Sequence, residues 1–330
     1  MDPFTPFTSI LYILSLWVIG LYMIQRVERP ILVTGSHRSG TTWVGKMLSK
    51  APSVGYIHEP FNYNHRLGVC SAHFDTWFPY ICQENEAHYE KAINKTVHFS
   101  YTFTKGISRV KDYLDPLRIV RDGSLYYWYK LLNYRPLIKD PIALFSAEWL
   151  SEKFNMDVVI MIRHPAAFVS SLKMLKWEFP FTHFLNQPLL MRDYLSPFED
   201  EIKRYSVKRY EVIDQAILLW RVIHFMISKY QHNHTDWIFI RHEELSSDPL
   251  YHFKELYNKL ELSFTPAVSQ YIADHSDTGN PGDPKYEGNL KRNSQSNIWN
   301  WKKRLSESKI ETIKKGVSDI SKTFYHDEEW

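Results

Sequence analysis

Short runs of β-branched and aliphatic residues alternate along this chain with longer stretches in which apolar residues recur every three or four positions. The short runs are residues 31–34, 136–139, 157–162 and 237–241. Each is apolar with little alternation, which predicts strands covered on both faces and hence a mainly parallel sheet. The longer stretches, residues 41–50, 165–175, 214–230 and 249–260, predict helices. Pro165 and Pro249 open two of them, in the first turn where a missing N–H costs nothing. Strand followed by helix, repeated, predicts an α/β fold: a central parallel sheet flanked by helices, as in P-loop NTPases. No internal repeat breaks the pattern, so residues 29–330 read as one domain.

The N-terminus follows a different pattern. Residues 9–24 (SILYILSLWVIGLYMI) carry no charge and run at the short edge of what spans a bilayer, about 17–25 residues. Residues 1–28 therefore predict an N-terminal hydrophobic helix and membrane association, the alternative being an amphipathic or buried helix. Asp2 precedes the segment while Arg26 and Arg29 follow it, so the positive-inside rule predicts that the bulk of the chain is cytoplasmic.

Composition narrows the classes further. In 330 residues, 44% are apolar and 15% aromatic, enough to bury a large core. The 40 basic and 37 acidic residues leave a formal charge of +3, without the basic stripe that nucleic acid requires. Two cysteines, Cys70 and Cys82, supply neither a disulfide framework nor a metal site, and no metal is expected. The tract from Tyr56 to Tyr134 is irregular and rich in Tyr, His and Phe, and is expected to help build an acceptor site.

After the first predicted strand comes Gly35-Ser36-His37-Arg38-Ser39-Gly40-Thr41-Thr42-Trp43, a glycine-bounded turn opening a helix. Such a turn is an anion cradle, because its N–H groups point inward and the helix start is electropositive. Its spacing equals that of the nucleotide phosphate loop, but Thr41 stands where the lysine would be. That disfavours a triphosphate with magnesium, while Arg38 offers a cation for another anion.

These residues resemble the 5′-phosphosulfate loop of the sulfotransferase superfamily, in which Lys or Arg precedes Ser-Gly-Thr-Thr. The resemblance implies transfer of a sulfuryl group from 3′-phosphoadenosine 5′-phosphosulfate (PAPS) to an acceptor hydroxyl. Gly35 to Thr42 would hold the 5′-phosphate and sulfate, with Trp43 near the adenine; from the residues alone, Trp43 suits the core equally well. The family's 3′-phosphate element, Arg at a strand end and Ser eight residues later, is matched by Arg163 and Ser171. Lys291, Arg292 and Ser294, before Trp299 and Trp301, resemble its C-terminal nucleotide-binding loop more loosely.

For catalysis the resemblance offers Glu59, 21 residues after Arg38, as in the tyrosylprotein branch. Partial burial beside Tyr56 and Phe61 is expected to raise its pKa and fit it to accept a hydroxyl proton. His58 is the alternative base. Lys139, in a Lys-Asp-Pro like that of the tyrosylprotein and bacterial carbohydrate branches, would neutralise the leaving oxygen, with Arg38 beside the transferring group. Asp140 would either orient Lys139 or cap the helix that starts at Pro141, capping being the preferred reading. His242-Glu243-Glu244-Leu245 is similar to the family's Tyr-Glu-Asp-Leu segment, with His242 replacing the tyrosine. The abundance of Tyr and Trp favours a carbohydrate acceptor, a polysaccharide or glycolipid. Two other classes compete: a P-loop kinase using ATP and magnesium, and a non-catalytic nucleotide- or glycan-binding membrane protein.

Overall fold

The structure, a computed structural model, describes residues 29–66, 68–107, 113, 115–282 and 290–330. The expected hydrophobic helix of residues 1–28 lies outside them. Among the described residues no helix is long and apolar enough to cross a membrane.

Five parallel strands form the sheet: β1 (Ile31–Gly35), β2 (Val54–His58), β3 (Arg135–Lys139), β4 (Asp157–Ile162) and β5 (Ile238–Arg241), in the order β2-β3-β1-β4-β5. The helices that concern the site are α1 (Thr41–Leu48), α2 (Asp115–Leu131), α3 (Pro165–Leu175), α4 (Val212–Asn233), α5 (His242–Ser247), α6 (Pro249–Lys259) and α7 (Ser294–Arg304). The predicted strands 31–34, 136–139, 157–162 and 237–241 and all four predicted helices are found, with ends shifted by up to three residues.

The period of two along each strand sorts its side chains into two cores. Ile31, Val33, Leu137, Val159 and Met161 face one way, onto Val44 and Met47 of α1 and Phe253 and Tyr257 of α6. Leu32, Ile138, Val158 and Ile160 face the other way, onto Phe168 and Leu172 of α3 and Leu219, Trp220 and Ile223 of α4. Strands buried on both faces need no polar alternation, which is why they read as continuous apolar runs.

Strand β2 escaped the pattern analysis. It is an edge strand, paired only with β3, and contains Gly55. That glycine is required by packing: a Cβ there would lie 2.4 Å from the Phe99 ring. A tertiary contact thus placed a strand-weakening residue inside a strand. Cys70 and Cys82 are both free.

Candidate active site

The β1–α1 turn is built by backbone conformations that only a few residues tolerate. Gly35 has φ 137°, Arg38 φ 66° and Gly40 φ 93°. A Cβ on Gly35 would sit 2.3 Å from the Met161 carbonyl oxygen, and one on Gly40 2.5 Å from His242 Nδ1. Strand β4 and helix α5 therefore press against the turn so closely that both glycines are structural requirements. Helix α1 starts at Gly40 with no side-chain cap, and the buried Ser36 hydroxyl has no hydrogen-bond partner. Uncapped N–H groups and an unpartnered buried hydroxyl at one helix start are what an anion would satisfy.

Two elements bring a cation and a hydroxyl to this turn. Arg38 Nε donates to Ser171 Oγ at 3.0 Å, and Arg163 Nη1 donates to the Arg38 carbonyl at 3.4 Å. Arg163, at the end of β4, and Ser171, two turns along α3, thus meet the loop at one place. The Glu243 carboxylate orients Arg163 from 3.8 Å and is itself held by the His164 N–H at 3.1 Å and the Tyr325 hydroxyl at 2.9 Å. Burial lowers the Arg163 pKa, against the pull of Glu243.

Not every loop residue faces an anion. The His37 ring is caged by Trp77, Phe78, Phe168 and Trp177 at centroid distances of 5.0–6.4 Å. Burial, then the nearby Arg38 charge, pushes its pKa down to about 3, so it is neutral and brings no charge to a phosphate. Trp43 is 3% exposed and packs edge-on against Phe253 at 5.1 Å, inside the core of β1, α1 and α6. Of the C-terminal candidates, Lys291 is exposed, and Arg292 lies near enough to His242 to depress its pKa after burial and Arg163. Ser294 is buried and donates its hydroxyl to the Ser276 carbonyl at 3.1 Å, in the first turn of α7, where Asn293 is the cap. Its hydroxyl serves the fold's own backbone.

Across the turn, β2 and β3 end side by side, with His58 opposite Lys139. The next residue, Glu59, turns back with φ 44°, and its N–H donates to the Lys139 carbonyl at 2.9 Å. This register delivers the fully buried Lys139 ammonium onto Glu59 Oε1, while Asn62 Nδ2 donates to Oε2 at 3.1 Å. The expected raised pKa of Glu59 is corrected by this contact. Burial, the largest single influence, pushes it up, but the charge and hydrogen bond of Lys139, joined by His58 and the Asn62 hydrogen bond, together outweigh it, and the net shift is downward. Burial, then Lys139, lowers the His58 pKa to about 4, so His58 is a neutral imidazole beside Glu59.

Asp140 performs the capping role. Its Oδ1 accepts from the Ile142 N–H at 2.9 Å and its Oδ2 from the Phe61 N–H at 2.6 Å, tying the segment after Glu59 to β3. Burial, then Glu59, raises its pKa from 3.8 to about 7. Between those values the folded carboxyl keeps a proton that the unfolded chain has released, so its contribution to stability falls as pH rises from about 4 to about 7. Asp140→Ala is expected to cost about 2 kcal/mol through two unpaired N–H groups and to remove that slope, as read by denaturant midpoints across this range. An unchanged midpoint at all pH values would contradict the assignment.

Two cavities meet at this carboxylate. One, of about 480 Å³, is lined by Arg38, Thr41, Thr42, Glu59, Trp77 and Trp177, among others. The other, of about 430 Å³, is lined by Tyr56, Glu59, Arg66, Arg121, Asp122 and Tyr126, among others. Lys46, His58, Glu59 and Asn62 border both. Lys46 and Asn62 were missed by sequence reasoning, although signals existed: Lys46 lies four residues after Thr42, on the same face of α1, and Asn62 lies three after Glu59. Such an arrangement can hold a multiply charged anion at the turn and a second molecule beyond Glu59, with a carboxylate and a buried ammonium between them.

Residues 30–266 match the model of a family described as the sulfotransferase family. Among solved structures, the chain is similar to the sulfotransferase domain from the Synechococcus PCC 7002 olefin synthase (14% identity over 92% of this chain and 97% of that one, TM-score 0.48). It is also similar to mouse sulfotransferase SULT7A1 complexed with PAP (11% identity, 92% and 87% covered, TM-score 0.42). A third is retinol dehydratase in complex with androsterone and inactive cofactor PAP (13% identity, 93% and 85% covered, TM-score 0.41). No curated protein matches the chain.

Proposed function

The chain belongs to the sulfotransferase family, and on that premise we propose that it moves a sulfuryl group from PAPS to a carbohydrate hydroxyl, with Glu59 as base. The observation that carries this reading is the meeting of Arg38, Arg163 and Ser171 at an uncapped helix start, on the rim of a cavity that ends at Glu59. The turn, with its unpartnered Ser36 hydroxyl and uncapped N–H groups, suits the 5′-phosphosulfate. Arg163 and Ser171 suit the 3′-phosphate, with Arg292, which like Arg163 acts on His242, close by. Trp77 and Trp177, each partly exposed on the first cavity, offer ring surfaces against which sugars stack.

Sulfuryl transfer, like phosphoryl transfer, asks the protein for position and charge rather than covalent help. The acceptor oxygen attacks sulfur in line, and the sulfur–oxygen bond to the 5′-phosphate breaks with its electron pair on the bridging oxygen. The acceptor proton passes to Glu59. Once protonated, Glu59 no longer holds Lys139 by charge, and the ammonium is released to the bridging oxygen as negative charge grows there. Their ion pair thus couples proton removal to leaving-group stabilisation. His58, neutral and adjacent, serves as the alternative base.

Calorimetric titration with adenosine 3′,5′-bisphosphate, without magnesium, tests the donor half. Wild type is expected to bind, and Arg163→Ala to bind more weakly by about 1.5–3 kcal/mol, the worth of a charged hydrogen bond. Absent binding, or a preference for ATP with magnesium, would sink the reading.

A further inference from the structure

Helix α2 presents an apolar stripe to solvent. Leu117, Val120, Tyr127, Trp128 and Leu131, followed by Leu132 just past its end, are each 55–68% exposed. They recur at helical spacing along one side, while Asp122, Gly123 and Tyr126 on the other side are buried. Scattered exposed apolar residues are ordinary, but an apolar stripe broken along its length only by Ser124, with charged neighbours, marks a contact surface. Its composition is leucine and valine with a tyrosine and a tryptophan, flanked by Arg118, Arg121 and Lys130, which is that of a helix lying at a membrane interface.

A second observation says what covers it. The first described residues lie beside the C-terminal end of this helix: Arg135 Nε donates to the Arg29 carbonyl at 2.7 Å, and Pro30 lines one cavity with Leu132 and Tyr134. The uncharged segment of residues 9–24 is thus joined to the domain next to the stripe. As a helix that segment would be apolar on every side, so packing one side on α2 would leave the rest in water, whereas a bilayer covers all of it.

We propose that the exposed stripe of α2 is a membrane-docking face, which seats the domain on the same bilayer that takes up residues 9–24. The proposal is independent of the acceptor and of the transfer chemistry. Its consequence concerns them, because Arg121, Asp122, Leu125 and Tyr126 of the same helix line the cavity beyond Glu59. Docking sets that cavity about one helix diameter, ~10 Å, from the lipid surface.

The test uses the full chain on vesicles of phosphatidylcholine with and without phosphatidylserine. In a Cys82→Ser background, Cys70 being buried, a nitroxide is placed through Val120→Cys, Tyr127→Cys or Leu131→Cys. Val207→Cys, on an exposed residue of another helix, is the reference. Collision with oxygen, which partitions into lipid, is compared with collision with a water-soluble nickel complex. The three stripe positions are expected to gain oxygen contact and lose nickel contact at least several-fold when vesicles are added, with position 207 unchanged. Nickel contact equal to that at 207 would overturn the proposal. So would shielding from both reagents before vesicles are added, since protein would then cover the stripe. Calorimetry with adenosine bisphosphate on the same samples reports the donor site separately.

Discussion

Lys139→Met is expected to lower kcat by about 10²–10³-fold, the effect of removing one charge-stabilising donor from a buried transition state. The reason is the double duty of the ammonium. It holds Glu59 ionised against burial, and it is the fully buried cation next to the carboxylate on which the two cavities meet. Methionine keeps the volume and deletes the charge. Burial is then opposed only by the weaker pulls of His58 and Asn62, so the Glu59 pKa rises and the acid limb of the kcat/KM profile moves to higher pH. In wild type the same limb lies below the ordinary carboxylate value of 4.5 if Glu59 is the base, because Lys139 depresses it. Glu59→Gln separates chemistry from folding: the double variant, with both charges gone, is expected to recover the stability lost in Lys139→Met and none of the activity. An acid limb that stays put in Lys139→Met would show that Glu59 is not the titrating base.

Gly35→Ala is expected to destabilise the domain by about 3–5 kcal/mol, from a backbone conformation hostile to a side chain and an overlap that cannot relax. Gly35 pairs in register with Met161 across β1 and β4, and the added carbon would lie 2.3 Å from the Met161 carbonyl oxygen. No rotamer relieves a clash with backbone. The two central strands would have to separate at their C-terminal ends, where the anion cradle begins. Thermal unfolding and adenosine bisphosphate titration check the two halves of this expectation. Wild-type stability with wild-type affinity would mean that the turn tolerates a different path.

The sheet and the cradle were legible in advance because both depend on local order. Continuous apolar runs, prolines at helix starts and a glycine-bounded turn after a strand are short-range patterns, and strands 31–34 and 157–162 and the helix at 165–175 appear essentially where they specify. Edge strand β2 was illegible, since its Gly55 answers to the Phe99 ring rather than to strand propensity. His37 reads as a loop polar residue, and only the arrival of Trp77 and Trp177 from elsewhere in the chain makes it a buried neutral ring.

By itself, then, the sequence determined four of the five strands, four of the helices around them, the anion-binding turn and the residue types able to serve it. Tertiary structure decided how they act. The order β2-β3-β1-β4-β5 sets the ends of β2 and β3 side by side, so that Lys139 meets Glu59 across 80 residues of chain and reverses the pKa shift that burial predicts. The same order brings β4 next to β1, and α3 after it, so that Arg163 and Ser171 reach Arg38. Local pattern sets which atoms are available. Charge interactions fall off with distance in space and not along the chain, so the sign of each group's response waits for its neighbours.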